Sequence, residues 1–490
     1  MTSPIELSQD EFKTVGHQLI DLIAGFIGTI DDRPVTTSKT AGELQQLLNT
    51  SSLPEQGAPA AEIFSRIAPL LFDHSLHNGH PKFMGYITSS AIPAGALADL
   101  LAAAVNPNVG AQILSPIATE IEKCTIKWLA EFIGVDPDYG GILVSGGNMA
   151  NFTAFLAART AKAKTPVKEE GIDNASGRML IYCSTNTHTW IEKAASLFGH
   201  GTSSIRWIPT DILDRMDTAL LETAIKKDQQ DGAQPFLVVG TAGDVSTGAV
   251  DDLRSIAAIC KAYDLWFHID GAYGMPAAAV PHQKKFFHGM KDADSIALDP
   301  HKWLYCPLEA GCTLVKKPQH LTDTFSSHPA YYNFSNVEDS PAHNFYERGL
   351  QNSRGFRALK VWIALMQVGR AGYIRMINGN IQLSRLLFEL AQKHPQLEAV
   401  TQHLSITTLR YIPKSAEDET YLDKLNEALL NKLQQSGKVF LSNAVVHKKY
   451  CLRACIVNFR TTKKDIEEII EIIVQEGEKT HESMQIITLS

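Results

Sequence analysis

The stretch Leu265-Trp-Phe-His-Ile-Asp270-Gly-Ala-Tyr273 and the later stretch Ser295-Ile-Ala-Leu-Asp299-Pro-His-Lys302-Trp303 decide the fold. Each is a short apolar run of strand length that ends on charged residues. The pattern extends outward in both directions, with similar runs at 142–144, 179–182, 205–208 and 236–239 upstream and 312–315 downstream. Between them, helical periodicity predicts helices near 149–162, 190–198, 217–227 and 251–263. Short buried strands alternating with helices specify an α/β unit, a mostly parallel central sheet covered on both faces. Such a sheet binds ligands at the carboxyl ends of its strands, where Asp270 and Lys302 fall.

After about residue 369 the chain becomes helix-rich, with strand candidates at 406–411 and 452–459 and a last helix from 464 onward. That reads as a smaller α+β unit. At the other end, Ser8-Gln-Asp-Glu11 has capping-box spacing, and Phe12, Val15, Leu19, Leu22, Phe26 and Ile30 recur every three or four residues until Asp31-Asp-Arg-Pro34. This is one long amphipathic helix. Its apolar stripe must pack on this subunit's body or on a second subunit.

With 490 residues, 44% hydrophobic and 20% charged, the chain has the composition of a globular protein of two or three domains. A formal net charge of -8 gives no general attraction for nucleic acid or anionic lipid, so a small-molecule site is the better expectation. The seven cysteines are scattered and form no pair of CxxC units, which points to reduced thiols and to no metal site. The N-terminus lacks a signal-like pattern, and no apolar run approaches the roughly 20 residues of a membrane span. The expected compartment is the cytoplasm, with neither nucleic acid nor membrane as partner.

Three strand-end elements carry chemistry. Gly141-Ile-Leu-Val-Ser-Gly-Gly-Asn148 runs a strand into a glycine pair at a helix start, where backbone N–H groups can close on a phosphate. Its plainer reading is a tight turn. Asp270 ends an apolar strand, where a carboxylate is costly to bury unless a cation or strong donors meet it; the alternative is a loop residue capping the next turn. Lys302 stands beside His301 and Trp303, and a partly desolvated amine becomes nucleophilic toward carbonyls; alone, it also reads as a surface charge. Together they match the three polar needs of pyridoxal phosphate (PLP): phosphate, pyridine nitrogen and aldehyde. His188, in Asn186-Thr-His-Thr-Trp190, is a candidate to stack on the ring or a hydrogen-bonded loop residue.

On these residues the chain resembles the PLP-dependent amino-acid decarboxylases, the family of aromatic-L-amino-acid, glutamate and diaminobutyrate decarboxylases. The resemblance runs from the opening helix through His80-Pro-Lys-Phe83, Ser145-Gly-Gly-Asn148, His188, Thr241-Ala-Gly243, His268-Ile-Asp-Gly-Ala-Tyr273 and Asp299-Pro-His-Lys-Trp303 to Arg354-Gly-Phe-Arg-Ala-Leu-Lys360. It implies an aspartate-aminotransferase-like (type I) PLP fold and a homodimer. The implied division is an N-terminal helical dimerisation segment over 1–85, a large PLP-binding domain over 86–370 and a small α+β domain over 371–490. By position, Gly146, Gly147 and Asn148 hold the phosphate, His188 and Ala272 flank the ring, and Asp270 pairs with its nitrogen near Thr241. Lys302 forms the Schiff base, with His301 beside it, and Ser353 and Arg354 belong to a segment that approaches the cofactor from the partner subunit. Asp299 departs from the aromatic decarboxylase pattern, which has an Asn near the phosphate. Two anions repel, so Asp299 is expected to point elsewhere or to bridge through a donor.

The implied reaction is loss of carbon dioxide from an L-amino acid, giving the amine. The alternatives are aldehyde formation or transamination on the same fold, and a catalytically idle PLP-binding protein. The pocket segments implied by the resemblance carry Phe83 and Tyr86, and Asn108 and Gly110. Tyr86, Phe83 and His188 favour an aromatic substrate, with acidic or short aliphatic ones as alternatives. The stretch 326–340 reads as a long loop suited to a lid. By resemblance its Tyr331 is the acid that protonates the α-carbon, with the adjacent Tyr332 as the other candidate.

Overall fold

The computed structural model describes residues 5–37, 39–48, 52–172, 177–327, 343–415 and 418–489. Tyr331 and Tyr332 lie outside the described residues.

Seven strands form the central sheet: β1 (Gly140–Val144), β2 (Met179–Ser184), β3 (Ile205–Ile208), β4 (Gln234–Thr241), β5 (Trp266–Asp270), β6 (Ser295–Leu298) and β7 (Gly311–Val315). Their order is β1-β7-β6-β5-β4-β2-β3. Only β7 runs against its neighbours, and the β6, β5, β4, β2 and β3 pairings are parallel. Because β1 and β6 are both antiparallel to β7, they point the same way. The carboxyl ends of β1, β2, β4, β5 and β6 therefore share one edge, and register places Thr241 beside Asp270.

The strands are apolar without alternation because both faces are covered. Along β2, Leu180 and Tyr182 enter one apolar cluster while Met179, Ile181 and Cys183 enter another. On the first side lie residues of the helices Pro116–Ile133 and Ala358–Lys393, and on the second those of Gly147–Lys162 and Trp190–Leu197.

The second sheet contains β8 (Leu397–His403), β9 (Ile406–Tyr411), β10 (Ser442–Val446) and β11 (Lys449–Cys455), all antiparallel in the order β10-β11-β9-β8. Helices Glu419–Gln435 and Lys463–Leu489 supply Leu425, Leu429, Ile466 and Ile473 to its own core. β8 and β10 were not among the expected strands. β10 alternates buried and exposed residues, and β8 carries Glu, Thr, Gln and His, so neither shows an apolar run.

The helix Gln9–Gly28 opens on the expected capping box, with Ser8 accepting from the Glu11 amide and Glu11 accepting from the Ser8 amide. None of its residues is buried. Phe26 stacks on Phe72 of the helix Ala60–His74, with ring centroids 4.6 Å apart, yet Phe12 stays exposed. Leu97, Leu100, Leu101 and Val105 on the helix Pro93–Val105 are exposed as well. No helix among the described residues is long and apolar enough to cross a membrane.

Candidate active site

At the shared edge, β1 ends and Ser145-Gly146 turns into the helix Gly147–Lys162. Gly146 has φ +114°, a conformation that favours glycine. A Cβ on Gly147 would sit 2.7 Å from Asp299 Oδ2 and 3.3 Å from the Ala272 methyl. The glycine pair is therefore a steric requirement of the turn. The amide of Ala150 donates to the Gly146 carbonyl at 3.0 Å. The preceding amides, of Gly147, Asn148 and Met149, belong to the first helical turn, where N–H groups lack intrahelical acceptors and the helix dipole favours an anion.

Asp270 closes β5 and is buried. Its Oδ2 accepts from the indole Nε1–H of Trp190 at 2.7 Å and its Oδ1 from the Ala272 amide at 3.2 Å. Two residues back on the same strand face, His268 bonds Ser295 Oγ and Asn151 Oδ1, each at 2.8 Å. Burial pushes the His268 imidazole down to about 4, so it is neutral at physiological pH. The Trp190 ring meets the His268 ring edge-on, with centroids 5.9 Å apart. Thr241 is buried beside Asp270, its amide donating to Asp251 Oδ2 at 2.7 Å. Trp190 is the functional contact that sequence reading missed. It lies two residues after His188, but nothing local links it to a strand end eighty positions away in sequence.

Lys302 reaches the same cavity from the loop after β6, with Nζ 3.2 Å from Asp299 Oδ2. Asp299 was expected to point elsewhere or to bridge through a donor, and its carboxylate lies against Lys302 rather than away from the site. Its side chain is 1% exposed, lies against Gly147 and Lys302, and neither carboxylate oxygen has a hydrogen-bond partner. The Lys302 contact is thus an ion pair out of line for a hydrogen bond. His301 Nε2 lies 3.7 Å from Asp299 Oδ2, while His301 Nδ1 stands 2.7 Å from the Ala310 carbonyl. Burial lowers the His301 pKa, with Asp299 opposing. His188 is open to the cavity, and its Nδ1 accepts from the Trp190 amide at 3.2 Å. The surrounding cavity wall lowers its pKa by desolvation, against the pull of Asp270.

Gly146, Gly147, Asn148, His188, Thr241, Asp270, Ala272, His301 and Lys302 thus line one cavity of about 580 Å³, which Tyr86 also borders. The remaining expected residues that lie among the described ones do not. Phe83 is buried and stacks on Phe440 at 5.4 Å. Asn108 Oδ1 accepts from the amides of Gly110 and Arg354, and a Cβ on Gly110 would sit 2.3 Å from the Asn352 carbonyl oxygen, so that loop leans on its own subunit's 352–354 segment. Arg354 is corrected as a cofactor ligand. Its buried guanidinium donates to Glu122 Oε1 at 2.5 Å, Glu122 Oε2 at 3.1 Å, Leu143 O at 2.7 Å and Val109 O at 2.8 Å, which leaves no free fork for a phosphate. Ser353 is exposed beside it and does not line this cavity. Arg453 was not foreseen: buried behind Tyr86, it donates from Nη1 to the Tyr86 carbonyl, and its Nε and Nη2 have no partner.

These groups fit PLP. The glycine turn, which any Cβ would obstruct, suits a phosphate, the buried carboxylate suits a protonated ring nitrogen, and the amine suits an aldehyde. The comparisons agree. Residues 42–412 match the pyridoxal-dependent decarboxylase conserved domain, and the chain belongs to that family. It is a PLP enzyme, a carboxy-lyase that decarboxylates an amino acid. An aromatic-L-amino-acid decarboxylase of Bacillus atrophaeus is 34% identical over 471 residues, 96% of each chain. A phenylacetaldehyde synthase of Petunia hybrida is 28% identical over 464 residues, 92% of this chain and 91% of that protein. The crystal structure of Oryza sativa TDC with PLP and tryptamine superposes with a TM-score of 0.90 at 25% identity, covering 98% of this chain and 99% of the other.

Proposed function

We propose that this enzyme removes carbon dioxide from an aromatic L-amino acid to give the arylalkylamine, working as a cytoplasmic homodimer. The observation that carries the substrate class is the wall left over once the cofactor groups are assigned. Tyr86, Ile87, Thr88 and Leu308 border the cavity, and no arginine lines it among the described residues to meet a side-chain carboxylate. The Bacillus atrophaeus relative, whose name specifies aromatic amino acids, supports the same class.

Bound PLP supplies the electron sink for the pair left when carbon dioxide departs. The residues of the chain do the rest. Lys302 Nζ would hold the cofactor through its aldehyde. Asp270, steadied by Trp190, keeps the ring nitrogen protonated. The amides at Gly147 and Asn148 hold the phosphate, and His188 and Ala272 confine the ring between them. Tyr331, or Tyr332 beside it, returns a proton to the α-carbon.

Dimerisation is supported by the uncovered apolar faces of the helices Gln9–Gly28 and Pro93–Val105. We assign dimerisation to 1–85, cofactor binding to 86–370 and a small α+β domain to 371–490. In that dimer the loop carrying Asn108 and Gly110, with the Ser353 segment it leans on, serves the other subunit's cavity. Seven unpaired cysteines accord with a reducing compartment.

The test is carbon dioxide and amine release from a panel of L-amino acids, with borohydride fixing the pyridoxyl group in place. Fastest release from aromatic substrates and label on the Lys302 peptide are expected. Preference for an acidic or short aliphatic amino acid overturns the substrate class, and label on another lysine overturns the site. In the presence of dissolved oxygen, which takes the two electrons and becomes the peroxide, Tyr331→Phe should shift product from amine toward aldehyde, ammonia and peroxide. Amine at the normal rate without peroxide moves the proton donor to Tyr332 or His188.

A further inference from the structure

The cavity that Lys302 reaches is also lined by an ionisable group with no part in the cofactor's chemistry. Glu309 borders the same cavity as Lys302, its side chain 46% exposed. The other carboxylates lining the cavity are committed elsewhere. Asp270 faces the ring nitrogen in the proposed arrangement, and Asp299 is buried against Gly147 and Lys302. Asp244 is buried and accepts from the amides of Ser246, Thr247 and Ala249. Glu309 is therefore the carboxylate that an incoming side chain meets.

Its position is fixed from behind. Arg357 Nε donates to Glu309 Oε1 at 2.9 Å. Arg357 does not line the cavity of Lys302; it lines a neighbouring hollow with Asp99, Asn106 and Lys360, which Glu309 also borders. The guanidinium thus stands on the far side of the carboxylate. A substrate sees the near charge, which is negative, and the cation behind it weakens that field without reversing it.

We propose that Glu309 is a specificity-determining residue that excludes amino acids with a side-chain carboxylate by like-charge repulsion. This inference rests on the substrate-side wall assigned above, and supplies the repulsive element of its selectivity. A site that binds neutral aromatic side chains through apolar contact does not reject glutamate strongly by lost contact alone. A fixed carboxylate adds that discrimination without touching the reacting atoms.

The test uses the holoenzyme and three competitive inhibitors that lack the α-amine: glutarate, 3-phenylpropionate and 3-(4-hydroxyphenyl)propionate. Glu309→Gln should lower the inhibition constant of glutarate by on the order of tenfold, and change that of 3-phenylpropionate little. Arg357→Gln, which removes the cation behind an intact Glu309, should raise the glutarate constant. Opposite shifts distinguish charge from structure, because a merely structural pair moves both variants the same way. Cofactor absorbance and circular dichroism establish that each variant is folded and loaded. An unchanged glutarate constant in a folded, loaded Glu309→Gln enzyme overturns the proposal, as does a shift in the same direction in both variants. If the wild type prefers a neutral aliphatic amino acid, the aromatic reading falls, while a lowered glutarate constant in Glu309→Gln still sustains the exclusion. A wild type that prefers L-glutamate overturns both.

Discussion

The two walls of the cavity are built differently. On the sheet side, Asp270 is held by Trp190 and the Ala272 amide, Thr241 by Asp251, and His301 by the strand that follows it. These groups are buried and largely satisfied within one chain. On the opposite side, Tyr86 is exposed with φ 50°, Leu308 is exposed, and Glu309 leans on a single arginine. Close by run the uncovered leucines of the helix Pro93–Val105, whose Asp99, Ala102 and Ala103 border the hollow shared with Leu308 and Glu309. In the dimer proposed above, the cofactor half is preorganised by a single subunit and the substrate half is completed by its neighbour. Preorganisation is what electrostatic stabilisation of a developing charge requires, whereas the substrate wall can be left to assembly.

The largest effect should come from breaking the unfinished wall. Leu100→Glu with Leu101→Glu places two charges on the uncovered apolar face, where desolvating a carboxylate costs far more than the leucine contact returns. Sedimentation should show monomers, and turnover should fall more than a hundredfold while PLP absorbance persists. Full activity in a monomer would show that the substrate wall is complete in one chain.

Breaking the finished wall comes next. Asp270→Asn keeps the size of the side chain but loses the charge that retains a proton on the ring nitrogen. A loss of about 3–4 kcal/mol in the barrier, roughly 10²–10³ in kcat, is ordinary for such a role. Near-normal turnover would reduce Asp270 to a turn residue.

Trp190→Phe sharpens the comparison by loosening that wall without removing its charge. The indole donor to Asp270 is lost and the ring packing on His268 is mostly kept. A hydrogen bond to a charged group contributes about 1.5–3 kcal/mol, but the Ala272 amide still bonds the carboxylate. We expect about a tenfold fall in kcat with the substrate KM little changed. The cofactor's absorbance should become more pH-sensitive. A rise in KM alone would place Trp190 in substrate binding instead.

How much of this was legible in the sequence follows the same division. The sheet-side groups could be read because a strand end followed by a glycine pair, as at Ser145-Gly-Gly147, or by a charged residue, as at Asp270 and Lys302, is a local pattern. The partners that hold them were not legible. Trp190 meets Asp270, and Arg354 meets Glu122, only through the fold. Arg354 was assigned to the cofactor by resemblance, because its motif says nothing of the buried glutamate on another helix. Phe83 was placed at the pocket by resemblance, yet it turns inward to Phe440, while Tyr86, in a turn with φ 50°, borders the cavity. Asp299 was left between pointing elsewhere and bridging through a donor, because its sequence context does not show that the carboxylate lies 3.2 Å from Lys302 Nζ.

The smallest expected effect tests whether the finished wall extends one layer behind Asp270. His268 is fully enclosed, bonded at both ring nitrogens, and burial holds its pKa at about 4 against the usual 6.5. The folded protein therefore stays unprotonated there while the unfolded chain takes up a proton below about pH 6.5. Stability from this group is complete above that value, falls as the pH drops toward 4, and levels off below. Between pH 7 and pH 6 the loss is under ~1 kcal/mol, so a single measurement is not enough. The comparison with His268→Gln isolates it, because every other titrating group is common to both proteins. Urea midpoints taken from pH 7.5 to 5 should fall more steeply for the wild type, and the gap between the two proteins should narrow with acid. Parallel curves would mean that His268 already carries a proton in the folded protein. The layer behind Asp270 would then be charged, and the acid held against the ring nitrogen would sit beside a second cation.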